Sequence, residues 1–329
     1  MQAWVMDKLS GISDLVLRDV PEPVAGAGEV VLAVQLAALN PADAYLAEGQ
    51  YPARPPLPHV LGRDGLGKVV AVGAGVTAFA VGDTGLLLRG EVGVNRWGTL
   101  AQRVSVPVES LTRVPAGWTA EQAAGAPLVY MTAYQALTQW DERVGAKGVV
   151  LVTGASGGVG IASMQLAKAM GHRVVAMTRS PGKIGALKDL GADFAWSSDD
   201  TQWRKSLIGA LGGRKVNLVV DNIGGGQFSE VLDTLDMNGC VSVVGRLAGP
   251  VPSFNTASLF FRRLRIGGVA VGTYSAAETQ SVWEKVVALL GSIGARPVVD
   301  SHWPFARVPE AFAKLAAGPL GKVLIDVGV

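Results

Sequence analysis

Val149-Val150-Leu151-Val152-Thr153 runs straight into Gly154-Ala155-Ser156-Gly157-Gly158-Val159-Gly160. The first five residues form a short apolar run, the pattern of a strand buried on both faces. Gly158 to Met170 then reads as a helix, with Ile161, Ala162, Leu166 and Ala169 on one stripe and Gly171 as its stop. Between strand and helix, Ala155, Gly157 and Gly160 occupy the three small positions of a dinucleotide-binding turn. Such a turn needs tight geometry, close backbone approach to a pyrophosphate and close packing of helix on strand. The helix start adds unpaired N–H groups and a partial positive charge. Ala155, Ser156, Gly157, Gly158, Val159 and Gly160 are therefore expected to line a dinucleotide. The glycine pattern alone is a weak signal; the flanking strand and helix make it specific.

The next strand, Arg173 to Thr178, selects the dinucleotide. An acid at its end would bind ribose hydroxyls and repel a 2′-phosphate. Here Thr178 is followed by Arg179-Ser180-Pro181-Gly182-Lys183, with two cations and no carboxylate. NADPH is the expected cofactor. Thr178, Arg179, Ser180 and Lys183 would surround its phosphate, with Arg179 as the clasp. An ordinary solvated basic loop is the plain alternative.

Downstream, Lys183 to Leu190 reads as a helix ended by Gly191. Val216 to Asp221, Cys240 to Val244 and Leu264 to Val271 read as further buried strands. Alternating strands and helices from residue 126 indicate a doubly wound parallel sheet over 126–272. Residues 1–125 read differently, as a small irregular β-barrel. Glu29 to Leu36 alternates with Val30, Leu32, Val34 and Leu36 on one face. Lys68 to Val76 and Leu100 to Val106 are further strands, and prolines break the segments between them. The tail, 273–329, carries helices at Ala276 to Leu290 and Pro309 to Ala317 and strands at Pro297 to Ser301 and Val323 to Val327. Its pattern alone does not say which domain it joins.

The totals exclude several classes. A net charge of +2 over 329 residues leaves no basic stripe for nucleic acid. The densest basic run, Arg262-Arg263-Leu264-Arg265, reads as a solvated strand edge before a phosphate patch. No stretch is apolar and long enough for a membrane span, and the first residues do not resemble a signal peptide. The single cysteine, Cys240, permits no intrachain disulfide and reads as a buried thiol in a reducing, cytoplasmic setting.

Short-chain dehydrogenases share a similar glycine turn, but they carry it near the N-terminus with a Tyr-x-x-x-Lys pair. None of Tyr45, Tyr51, Tyr130, Tyr134 or Tyr274 has Lys four residues on. Instead the chain resembles the medium-chain dehydrogenase/reductase superfamily, in its zinc-independent quinone oxidoreductase branch. The likeness rests on Leu39-Asn40-Pro41-Ala42-Asp43, Gly49-Gln50-Tyr51-Pro52, Leu61-Gly62-Arg63-Asp64-Gly65-Leu66-Gly67, Gly98-Thr99-Leu100-Ala101, Met131-Thr132-Ala133-Tyr134, Asp221-Asn222-Ile223-Gly224-Gly225 and Gly321-Lys322-Val323.

The resemblance implies a Rossmann domain inserted into a GroES-like β-barrel domain, with the tail returning to the barrel. It implies a homodimer paired near Ile266 to Val271. It places Asn40, Tyr51 and Thr132 by the nicotinamide, Asn222, Gly245 and Arg246 along the cofactor cleft, and Gly321 and Lys322 over the cofactor. Each has a plainer role open: Asn40 as a turn cap, Thr132 bonding its own helix, Lys322 as a surface charge. Zinc-dependent relatives carry ligands where this chain has Asp43 and Arg63, and the three histidines lie in unrelated segments. No metal is expected.

Without a metal, a small-molecule quinone or α,β-unsaturated carbonyl is the expected acceptor. Negative charge would build on its oxygen as hydride arrives, and Tyr51 is the candidate donor to that oxygen, with Asn40 beside it. Tyr51 packing under its proline-rich loop is the plain alternative. An enoyl-thioester reductase and a non-catalytic NADPH-binding protein are the two alternative functions.

Overall fold

The computed structural model describes residues 1–89, 91–140, 147–250 and 252–328. The chain forms two compact units. One holds Met1–Leu128, Tyr274–Trp283 and Arg296–Val329; the other holds Val129–Thr273 and Glu284–Ala295.

The first unit contains β1 (Gln2–Met6), β2 (Val16–Asp19), β3 (Glu29–Ala38), β4 (His59–Val60), β5 (Asp64–Val72), β6 (Thr84–Leu87), β7 (Arg103–Pro107) and β8 (Leu111–Thr112). β3 organises it. One edge of β3 pairs antiparallel with β5; the other pairs with β7 near its start and with the chain's closing strand at Leu36–Ala38. β3 is buried on both faces along nearly all its length, so the simple alternation expected over Glu29–Leu36 does not describe it. β5 begins at Asp64, four residues before the expected strand, and stops at Val72. Leu32, Leu61, Leu87, Leu100 and Ile325 meet in the core of this unit. Each such buried side chain stabilises the fold by roughly 1.5–3 kcal/mol relative to exposure.

The second unit contains β9 (Val149–Val152), β10 (Arg173–Thr178), β11 (Phe194–Ser197), β12 (Val216–Asp221), β13 (Leu235–Val243) and β14 (Arg265–Gly268). They lie in the order β11-β10-β9-β12-β13-β14, with every pair parallel. This is the doubly wound order, and the strand sequence reverses between β9 and β12. β11 is short and its aromatic residues sit next to a polar turn, so its pattern escaped the strand reading. The helix Gly158–Ala169 is buried from Gly160 to Ala167, all round rather than along one stripe, because it packs on the sheet in a crowded layer. β14 corrects the expected buried strand Leu264–Val271. It is four residues long and half exposed, as an edge strand with one neighbour in the sheet. Cys240 is fully buried in β13.

The tail adds the helices Ala276–Ser292 and Val308–Ala316 and the strands β15 (Val299–Pro304) and β16 (Lys322–Asp326). β16 is the closing strand that pairs with β3, so the end of the chain completes the sheet of the first unit. Among the described residues no helix is long and apolar enough to cross a membrane.

Candidate functional site

In the second unit the glycine turn lies at the C-terminal end of β9, next to the reversal point. Gly160 has a steric reason. A Cβ there would stand 2.4 Å from the Gly154 carbonyl oxygen and 2.6 Å from Cα of Ala155. Only glycine lets the helix start this close to the strand. Gly157 is the opposite case: a Cβ would have one neighbour, the Gly154 oxygen at 3.5 Å, and otherwise open space. That space is a cradle over the helix start, where the first-turn N–H groups of Gly158, Val159 and Gly160 have no carbonyl one turn back. Ser156 and Val159 are half-buried at its rim, while Ala155 is buried and donates its N–H to the Met177 carbonyl. The residues fit a dinucleotide pyrophosphate.

Two neighbours of the turn were missed at the sequence level. The Thr153 hydroxyl donates to Asp221 Oδ1 at 2.7 Å and accepts from the Asn222 N–H at 2.9 Å. Asn222 Nδ2 donates to the Thr153 carbonyl at 2.8 Å. Asp221 also receives the N–H groups of Ile223 and Gly224. This clasp joins the ends of β9 and β12. It also commits the Asn222 amide to the protein, so Asn222 shapes the turn. Gly245 lies against it, with space for no Cβ beside the Asn222 carbonyl. A threonine and an aspartate, each ending an apolar strand, were the available signal.

At the end of β10, Thr178 is buried and its hydroxyl accepts from the Ser180 N–H at 3.2 Å. Arg179 is exposed, with no hydrogen bond or ion pair among the described residues. Lys183 and Arg246 are half-buried. Thr132 is half-buried within the helix Pro127–Thr138.

In the first unit, five of the residues singled out by motif meet in one buried polar cluster. Asn40 precedes the short helix Pro41–Ala47 and is 3% exposed. Its N–H donates to Asp43 Oδ2 at 2.9 Å, and its amide donates to Asp64 Oδ2 at 2.9 Å. Lys322, at the start of β16, is buried and is no surface charge. Its Nζ donates to the Leu39 carbonyl at 3.0 Å, to Asn40 Oδ1 at 2.6 Å and to Asp64 Oδ2 at 3.3 Å. Asp64 Oδ1 accepts the Leu128 N–H at 3.2 Å. Gly321 is buried beside Lys322, under the Val298 carbonyl.

Arg63 joins the cluster through Asp43: its Nε lies 3.0 Å from Asp43 Oδ1, with the pair 8% and 0% exposed. Its guanidinium stands 4.8 Å from the centroid of the Tyr51 ring. Two carboxylates and two cations thus neutralise one another away from water, which burial of any one of them alone would not allow. Burial pushes the Asp43 carboxyl up, and Arg63 works against that rise. Burial also works against the Arg63 charge, but Asp43 and Tyr51 outweigh it and hold the guanidinium above its usual value. Tyr51 is half-buried, placed by the turn at Gly49, whose φ of +66° favours glycine. His59 is buried nearby in sequence with no partner on Nε2; burial drives its imidazole down to about 4, so it is neutral.

The chain matches the family model described as alcohol dehydrogenase GroES-like domain over residues 26–116, and that described as zinc-binding dehydrogenase over 158–314. It is 30% identical to acryloyl-coenzyme A reductase of Metallosphaera sedula, over 94% of this chain and 95% of that one. It is 27% identical to a quinone oxidoreductase of Lama guanicoe, over 99% and 97%. It is also 33% identical to part of the polyketide synthase GfsB of Streptomyces halstedii, and spans 5% of that protein's length. Among solved structures, a mycobacterial protein complexed with NADPH superposes with a TM-score of 0.87 at 28% identity, over 99% of both chains. A protein described as an NAD-dependent alcohol dehydrogenase superposes at 0.88 with 31% identity over the whole of both.

Fold and site together define an oxidoreductase that uses a nicotinamide cofactor. The chain belongs to the medium-chain dehydrogenase/reductase superfamily, in its zinc-independent quinone oxidoreductase branch. The zinc in the second family description does not fit the residues present. Zinc takes thiolate, imidazole and carboxylate in tetrahedral sets. Here the Asp43 carboxylate is committed to Arg63 and to the Asn40 N–H. Among the described residues no three His, Cys, Asp or Glu side chains are grouped to hold a metal.

Proposed function

We propose that this protein is an NADPH-dependent reductase of quinones or α,β-unsaturated carbonyls that works without a metal. The observation that carries the reading is the commitment of Asp43 to Arg63, 3.0 Å apart. A metal-bound alkoxide has no donor set there, whereas a conjugated acceptor needs only a hydride source and a donor to its oxygen. NADPH would supply the hydride equivalent. The cradle over Gly157 supports a dinucleotide of either kind, and the exposed Arg179 beyond a strand end without a carboxylate supports NADPH over NADH. Ala155 to Gly160, Thr178 to Ser180, Lys183, Gly245 and Arg246 would hold it. Tyr51 would donate a hydrogen bond to the acceptor oxygen. Asn40, Thr132 and Lys322 would shape the nicotinamide end, Asn40 and Lys322 from within the buried cluster.

Reduction of an enoyl thioester is the second reading, favoured by the near full-length similarity to an acryloyl-coenzyme A reductase. Within the basic run Arg262 donates to the Leu232 and Leu235 carbonyls and Leu264 is buried, so the exposed Arg263 is the residue that would meet a coenzyme A phosphate. A homodimer formed at the open edge of β14 is supported by the neighbouring exposed pair Phe260 and Phe261. A cytoplasmic setting is supported by the lone buried cysteine.

The test follows NADPH oxidation with a benzoquinone, a simple enone and crotonyl-CoA, each with and without a chelator. Turnover of the first two, unaffected by chelator, is expected. Turnover of crotonyl-CoA alone would move the thioester reading to first place. Loss of activity with chelator would overturn the metal-free assignment, and NADPH binding without any turnover would point to a non-catalytic role.

A further inference from the structure

We infer that Arg63, anchored by Asp43, is the positioning residue for Tyr51: it holds the phenol in place and sets a permanent positive charge beside it, where the acceptor oxygen becomes anionic. The inference rests on the reduction proposed above. Three features of the first unit carry it. The guanidinium lies over the Tyr51 ring at 4.8 Å, within the range at which a cation is attracted to an aromatic face. The cation cannot drift, because Nε is fixed on Asp43 and Nη2 on the Ala42 carbonyl at 3.3 Å. Asp43 in turn is fixed by the Asn40 N–H at the start of the helix Pro41–Ala47. The fork of Arg63 has five N–H donors; these two bonds use two of them, and the Tyr51 side chain is a further hydrogen-bond partner of the group.

The arrangement has an electrostatic consequence. A carbonyl reduced at its conjugated carbon takes up two electrons with the hydride and carries a negative charge on oxygen until a proton arrives from solvent. Tyr51 keeps its own proton and donates a hydrogen bond to that oxygen. A fixed cation behind the phenol strengthens this bond as the charge grows, and more than it does in the uncharged ground state. Arg63 is 8% exposed, which limits screening by water. The effect therefore falls on kcat more than on KM.

The experiment is a double-mutant cycle on enone reduction. Removing Arg63 alone strands a buried carboxylate, so the neutral pair Arg63→Met with Asp43→Asn is made, and Arg63→Lys is made as the conservative variant. Each is measured with Tyr51 present and with Tyr51→Phe, after a thermal melt has confirmed folding. With Tyr51 present, the neutral pair is expected to lower kcat on the order of 10–100-fold with KM changed much less. Arg63→Lys should recover part of the loss, and in the Tyr51→Phe background the same replacements should change kcat by less than about threefold. Equal losses in both backgrounds, or losses confined to KM, would show that Arg63 does not act through Tyr51 and would overturn the inference. If the neutral pair does not fold, the Arg63→Lys arm decides by the same comparison. Wild-type protein that reduces no enone or quinone would overturn the proposed function and this inference together, whereas active wild type with additive variants overturns this inference alone.

Discussion

Nζ of Lys322 lies 2.6 Å from Oδ1 of Asn40, across 282 residues of sequence. The contact fixes the Asn40 amide the other way round from a ligand-reading group. Its oxygen is taken by the lysine and its NH2 by Asp64. A lysine that closes the chain therefore sets the shape of the loop after β3. Lys322→Met removes the cation from beside Asp64, which is 0% exposed. Loss of one partner of a buried pair costs about 3–5 kcal/mol, and urea unfolding should show that loss with an unchanged slope. Wild-type stability in the variant would mean the pair is solvated.

The two glycines of the dinucleotide turn should separate folding from binding. Gly160→Ala places a methyl 2.4 Å from a backbone oxygen, so it should lower the melting temperature and abolish NADPH binding. Gly157→Ala meets almost nothing in the protein. It should melt within about 2 °C of wild type yet bind NADPH on the order of tenfold more weakly, because its methyl fills the cradle. Calorimetry and quenching of tryptophan fluorescence by NADPH read the two effects. Unchanged affinity in Gly157→Ala would place the cofactor elsewhere.

Arg179→Ala should weaken NADPH by roughly 10–100-fold, the value of a charge-assisted phosphate contact of about 1.5–3 kcal/mol, and leave NADH nearly unchanged. Titration of both dinucleotides on both proteins checks this. Equal weakening of the two would refute the 2′-phosphate assignment. A solved neighbour described as NAD-dependent makes this comparison the decisive one for the cofactor.

His59 makes stability depend on pH. Its imidazole is driven from 6.5 down to about 4 in the fold, first by burial and further by Arg63, with a bond to the Gly93 backbone opposing both. The unfolded chain therefore takes up the proton first as pH falls. The contribution is complete above the unfolded value and is lost as pH drops toward the folded one. The shift corresponds to roughly 3 kcal/mol in full. Between about pH 7.5 and about pH 5, wild type should lose about 2 kcal/mol more than His59→Leu in urea unfolding. Parallel losses in the two proteins would show that His59 is hydrated.

The half of the fold built on local periodicity was legible. β10 and β12 fall where the apolar runs place them, and the turn before Gly158–Ala169 lies at the reversal of strand order. The edge strand β14 and the aromatic β11 were not legible, since a strand's burial depends on its neighbours in the sheet and not on its own residues. The site divides in the same way. Asn40 and Asp43 stand three apart at a helix start, so their bond was available from spacing. The bond from Arg63 to Asp43 was not, and the two were legible only as departures from a zinc set.

The sequence by itself determined the strand–turn–helix, its small residues and the lack of an acid after β10. These are matters of neighbouring residues and backbone geometry, which act over a single turn or strand. Only the tertiary structure decided that Lys322 reaches Asn40 and Asp64, and that Arg63 stands over Tyr51. Those contacts depend on β16 pairing with β3, and on β3 pairing with β5 in one register. Once that register removes the four charges from water, they have to find one another, because a buried charge without a partner costs more than the fold could sustain.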